Sequence, residues 1–236
     1  TTNKEICHNS VVLKGKGTLA KLAAGGGSLD CRTNYVCISG GGKCEEINPT
    51  ETKKIDLTKD DAKNEIMKAI ADEMADCWWM FGEGKVDYVG LNIEGATIGK
   101  MNCALCSTIK FDKSLQDLEI IKSSFFKNFL SSTEKTKGIS YSYYLYNTNN
   151  LEKINTLPID MKKEYVVFTG ISEKGSLEST KDFFGSGVDL FNDIFVSFLN
   201  LPKIAKYNNY GPFPIVVIEK SNINKLKCDE FITKAS

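Results

Sequence analysis

Eight cysteines, Cys7, Cys31, Cys37, Cys44, Cys77, Cys103, Cys106 and Cys228, constrain this 236-residue chain more than any other feature. The count is even, and half of it lies in a glycine-rich amino-terminal region. That pattern suits a disulfide framework formed in an oxidising compartment. Spacing does not choose among the roughly hundred pairings that eight cysteines allow. The same residues also admit two other uses, as reduced buried thiols acting as small hydrophobes or as thiolate ligands of a structural zinc.

The short-range spacing tests those uses. Cys103-Ala-Leu-Cys106 has the spacing of a thiol-disulfide oxidoreductase pair, in which a helix amino terminus lowers the pKa of the attacking thiol. Here Thr108, Ile109 and Phe111 follow, which reads as a strand, so a structural role is favoured and the redox enzyme is the alternative. Closed zinc sites draw on two close pairs. Only Cys103 and Cys106 are that close, since Cys31 to Cys37 and Cys37 to Cys44 are both too wide. No metal or cofactor is expected.

Charge and length set further bounds. Formal net charge is zero, and all basic residues but Arg32 are lysine, which lacks the guanidinium fork that reads phosphate and guanine. Nucleic-acid binding is therefore not expected. No uninterrupted apolar run of about 18 residues spans a bilayer. The chain starts at Thr1, as expected if an export signal or anchor was removed or the chain was shortened, so any membrane attachment would run through such an anchor. Hydrophobic residues at 42% can bury a substantial core. The expected organisation is one domain over 1–236, with the polar stretch 147–156 as the place for any boundary.

Periodicity gives the elements. Short β-branched runs at 10–13 and 33–38 predict strands. Gly25-Gly26-Gly27-Ser28 and Gly40-Gly41-Gly42 read as connectors, because no Gly-Lys-Ser/Thr follows to make a phosphate loop. A helix is predicted over 58–81, started by Thr58 and by Asp60 and Asp61 at the positive dipole end. Ile66, Ile70, Met74, Cys77, Trp78 and Phe81 form its buried face, and Asp72 lies opposite. A second helix is predicted over 114–131, and a third, Phe-rich one from about 177 to 201. That third helix carries Asp189, Asn192 and Asp193 on its polar face, which opposes binding to anionic lipid. Strands are predicted at 139–146, 165–169 and 214–219. The mixture lacks a regular β-α-β alternation. The fold expected is α+β, with a mixed or antiparallel sheet packed on two or three amphipathic helices and stapled by disulfides.

Catalytic candidates are few. His8 is the only histidine, and its place beside Cys7 near the terminus reads as incidental. Glu65, Asp72, Glu73, Asp76, Glu83 and Glu94 surround the long helix. Asp72 and Asp76 share a face and could form an acid/base pair, but scattered acids on an amphipathic helix are normally solvated surface. Of the adjacent Trp78 and Trp79, one is expected in the core and one at an interface.

Cys-Trp-Trp-Met-Phe-Gly-Glu-Gly-Lys at 77–85 and Cys-Ala-Leu-Cys-Ser-Thr-Ile at 103–109 resemble an uncharacterised family of archaeal membrane-associated proteins. Cys-His-Asn-Ser-Val-Val at 7–12 and Lys-Leu-Lys-Cys-Asp at 225–229 are similar to it too. The resemblance covers under half the chain and implies an extracytoplasmic, cysteine-rich domain behind an amino-terminal anchor. It implies no activity. The function expected is therefore a non-catalytic extracytoplasmic or cell-surface domain that binds a protein partner or self-associates.

Overall fold

A computed structural model describes residues 2–15, 29–58, 61–86, 88, 101–152, 156–173, 210–212, 215–226 and 228–234. The Gly25–Ser28 connector, Glu94 and the helix expected over 177–201 lie outside these residues.

The chain opens with helix α1, Asn3–Gly15, which buries Cys7 and Val11 one turn apart. Glu5 in its first turn and Lys14 in its last suit the helix dipole. The strand expected at 10–13 is therefore helix. The β preference of two adjacent valines is weak and yields to burial along a helical face. Strands β1, Asn34–Ser39, and β2, Glu51–Lys54, follow.

Helix α2, Ala62–Met80, buries Ile66, Ile70, Met74, Cys77 and Trp78 as expected, but begins four residues later than predicted. Thr58 instead closes a turn by donating to Asp56 Oδ1, and Asp61 sits at the N-cap.

Strand β3 runs Met101–Phe111. The helix expected over 114–131 is broken: a single 3-10 turn at Lys113–Leu115 is capped by Asp112, and helix α3 covers only Ser123–Ser132. Between them Ile121 pairs with Ile159 as an isolated bridge, which takes that backbone out of the helix. Strands β4, Glu134–Thr136, and β5, Ile139–Ser140, form a small separate ribbon. The strand expected at 139–146 then turns helical as α4, Tyr141–Tyr146. Ser140 caps it by accepting from Tyr143 N, and Asn147 ends it in the left-handed region. Strands β6, Tyr165–Glu173, β7, Tyr210–Pro212, β8, Val216–Glu219, and β9, Glu230–Phe231, complete the elements.

The fold is α+β, with a seven-stranded mixed sheet of order β2-β1-β3-β6-β7; β8 also pairs with β6 and β9 with β3. Strand β1 runs parallel to β2 and β3, whereas β6 is antiparallel to β3, β7 and β8. Residues on either side of 147–156 thus share one sheet. Helix α2 covers one face, burying Val36, Ile38, Ala104, Ile109, Phe111, Tyr165 and Val167. A smaller cluster of Val166, Phe168, Val216, Ile218 and Leu226 covers the other.

The β3–β6 register sets where the β3 cysteines point. Leu105 lies opposite Phe168 and Ser107 opposite Val167, which leaves Cys106 as the extra residue of a β-bulge. Before the bulge the even-numbered Ala104 faces α2, and after it the odd-numbered Ile109 and Phe111 do. Strand β9 lies along the amino-terminal half of β3, parallel to it. Its continuation pairs with the chain before β1: Lys234 N donates to Cys31 O, and Thr33 N to Lys234 O. Opposite Cys103, Gly170 brings the two backbones so close that a Cβ would stand 2.7 Å from Asn102 O.

Candidate functional site

Four disulfides use all eight cysteines: Cys7–Cys31, Cys37–Cys44, Cys77–Cys106 and Cys103–Cys228. Cys7–Cys31 ties α1 to the approach to β1, and Cys77–Cys106 ties α2 to the bulge of β3. Cys103–Cys228 closes the opposite face of the sheet, and Cys37–Cys44 cinches the glycine loop after β1. Cys103 and Cys106 belong to different bonds, so the geometry does not bring them together as a dithiol. Each sulfur is bonded to another sulfur, which removes the thiolates a zinc site needs. Among the described residues no group of three or more His, Cys, Asp or Glu is arranged to hold a metal ion. Nor is any described helix long and apolar enough to cross a membrane.

The polar side chains converge on one stripe of α2. Asp72, Asp76 and Trp79 recur at helical spacing, and Glu83 continues the line past the helix end. From one side α1 reaches over with Lys4 and His8, and from the other α4 does so with Tyr141 and Tyr144. Lys4 Nζ stands 2.7 Å from Asp76, 3.0 Å from Glu73 and 3.1 Å from Glu51. Lys53 of β2 lies 2.9 Å from the same Glu73 oxygen. Tyr141 donates its hydroxyl to Asp72, which also takes Lys68 at 2.7 Å. Tyr144 donates to Glu83 at 2.8 Å, beside Lys85 at 2.5 Å. The His8 ring stacks on Trp79, centroids 4.0 Å apart, and its Nδ1 is 2.7 Å from Trp79 O. A carbonyl oxygen only accepts, so Nδ1 carries the proton.

Two expectations need correction here. Glu73 is not solvated surface, because its side chain is 1% exposed between two lysines. Its position, three residues after Ile70 and four before Cys77, lies on the buried stripe, and that spacing was the signal for it. His8 is not incidental, since it joins α1 to the end of α2. Trp78 is in the core and Trp79 half-buried at the α1 contact. Lys4, Lys53, Tyr141 and Tyr144 were missed, as they come from segments far apart in sequence.

The electrostatics of this stripe favour clamping over proton transfer. Burial pushes the carboxyls of Glu51, Asp72 and Glu83 upward, but their cationic and hydroxyl partners outweigh it and hold all three below the usual range. Burial pulls Lys4 and Lys53 down, and Glu73 with its neighbours more than offsets this. A general acid or base needs a pKa near the working pH, and these shifts run away from it.

A second carboxylate, Asp112, is buried at the carboxyl end of β3. It accepts from Gly42 N at 2.6 Å, Ser39 Oγ at 2.7 Å, and both Ser114 N and Ser114 Oγ. Gly40 and Gly42 of the turn thus donate to a carboxylate of the chain itself, and Gly41 N donates to Ser39 Oγ, so these amides are already taken. A Cβ at Gly42 would stand 2.9 Å from Asp112 Oδ2. Two further polar groups are buried without a hydrogen-bond partner, Asn34 Nδ2 and Ser107 Oγ. They are register neighbours on β1 and β3.

No protein-family model, curated protein or solved structure matches this chain.

Proposed function

We propose that this chain is a non-catalytic extracytoplasmic or cell-surface domain that acts through its surface, binding a protein partner or associating with itself. The observation that carries the proposal is the complete use of eight cysteines in four disulfides. Such a framework fits an oxidising compartment. The paired α2 stripe adds support, because it holds the helices together and its partners shift Glu51, Asp72, Glu83, Lys4 and Lys53 away from the range useful for proton transfer. The resemblance to extracytoplasmic, anchor-bearing archaeal proteins belongs to the same proposal.

Two measurements test it. Labelling of intact cells with an impermeant amine reagent should modify the protein's lysines, and protection of all of them until lysis would overturn the location. Turnover of a glutathione mixed disulfide should match the uncatalysed rate. Robust turnover that is lost in Cys103→Ser would replace the proposal with a thiol-disulfide oxidoreductase.

A further inference from the structure

We infer, resting on the self-association half of that proposal, that the outer face of α1 and the segment before β1 form a two-fold contact between copies of this chain. Ile6 and Leu13, two turns apart on α1, are 37% and 63% exposed. Beside Ile6 a pocket of ≈ 280 Å³ opens between Asn3, Ile6, Asp30 and Arg32. Sites that enclose a small-molecule ligand run to about 300–1,000 Å³. This one is smaller and open, and it suits a protruding side chain.

Charge selects the occupant. Asp30 and Arg32 are both exposed and line the same pocket. Neither side chain makes an ion pair or hydrogen bond with a described residue, unlike nearby Lys4 and Glu5, which are engaged. An acid and a base two residues apart are self-complementary under a two-fold axis. Arg32 of one copy meets the partner's Asp30 while Asp30 meets the partner's Arg32. Ile6 and Leu13 supply apolar contact around the ion pairs, and arginine is enriched in such interfaces.

Sedimentation velocity on the oxidised 236-residue chain, over a concentration series, tests the inference. Wild type should form a concentration-dependent dimer. Arg32→Asp and Asp30→Arg should each weaken it at least about tenfold, because like charges then face each other. Mixing the two single variants should restore association, since one copy then carries two acids and the other two bases. The doubly exchanged D30R/R32D chain should also dimerise. A wild type that is monomeric throughout overturns the inference and leaves binding of another protein as the proposed function. A dimer that neither exchange weakens overturns this face and leaves self-association standing.

Discussion

Cys103 and Cys106 stand three residues apart on β3 and point to opposite faces of the sheet, one to Cys228 and the other to Cys77 on α2. Cys106, although the extra residue of the bulge, keeps the alternation of the strand before it, so the spacing of a redox motif here serves two separate staples.

Thiol titration of the denatured, unreduced chain should therefore find no free thiol. The staples should differ in weight. Cys103–Cys228 spans 125 residues and Cys37–Cys44 spans 7. The loop-entropy relation gives roughly 5 kcal/mol for the long loop and roughly 2.5 kcal/mol for the short one. Replacing the long pair by serine should lower the denaturation midpoint more than replacing the short pair, and the reverse order would show that native contacts at the glycine loop dominate.

Glu73 should matter to stability as much as a core residue does. Removing one partner of a buried ionic group costs up to about 3–5 kcal/mol, and Glu73→Ala leaves Lys4 and Lys53 with only the more exposed Glu51 and Asp76 as partners. Ile70→Ala should cost about 2–5 kcal/mol. Asp72→Ala, from the half-buried side, should cost about 1–3 kcal/mol by stranding the Tyr141 hydroxyl. Urea midpoints of the three variants check the order, and a neutral Glu73→Ala would mean that the lysines find water instead.

Asp112 should contribute an acid-sensitive part of the stability. Burial raises its carboxyl, but hydrogen bonds from Ser114, Ser39, Gly42 and Gly40 outweigh this and hold it below the ordinary value. A depressed folded-state pKa gives stability that is present above the unfolded pKa and lost as pH falls through the folded one. Asp112→Asn should be less stable than wild type at neutral pH, and the gap should close as pH falls below about 4. A gap that stays constant down to the acid limit would show that the charge of Asp112 is not what the loop uses.

Two buried serines should respond in opposite directions to the same substitution. Ser39→Ala removes a hydrogen bond to a buried carboxylate and should cost about 1.5–3 kcal/mol. Ser107→Ala removes an unpartnered hydroxyl and should leave thermal stability unchanged or raised by about 1 kcal/mol. Equal losses in the two variants would show that Ser107 is hydrogen-bonded after all.

Legibility in the sequence followed the strength of the local signal. The apolar stripe of α2 and the β-branched runs of β1, β6 and β8 carry their own period and were readable. Strand β2, Glu-Thr-Lys-Lys, has no apolar pattern, because it is a charged strand that, among the described residues, pairs with β1 alone at the edge of the sheet. Helix α4 was hidden by tyrosines with strand preference, though Ser140 as its cap was on view. At α1 two valines outweighed the quieter turn-spacing of Cys7 and Val11. Of the clamp on α2, the helical spacing of Asp72, Glu73 and Asp76 was on view, but their partners were not, since Lys4, Lys53 and Tyr141 meet them only after the chain has folded over itself.

The placement of β9 bears on how this chain reaches its native state. The amide of Leu105 is satisfied by Thr233 Oγ1, 128 positions later, and Cys103 O accepts from Ile232 N. Until 230–234 have arrived, the edge of β3 and the segment at 31–33 keep open hydrogen-bonding groups. Pairing over such separations is intrinsically slow, and an unfilled parallel slot invites a strand from another chain. Closure of Cys103–Cys228 then acts as the ratchet that makes the late arrival permanent. In a folding time course this bond should be the last of the four to form.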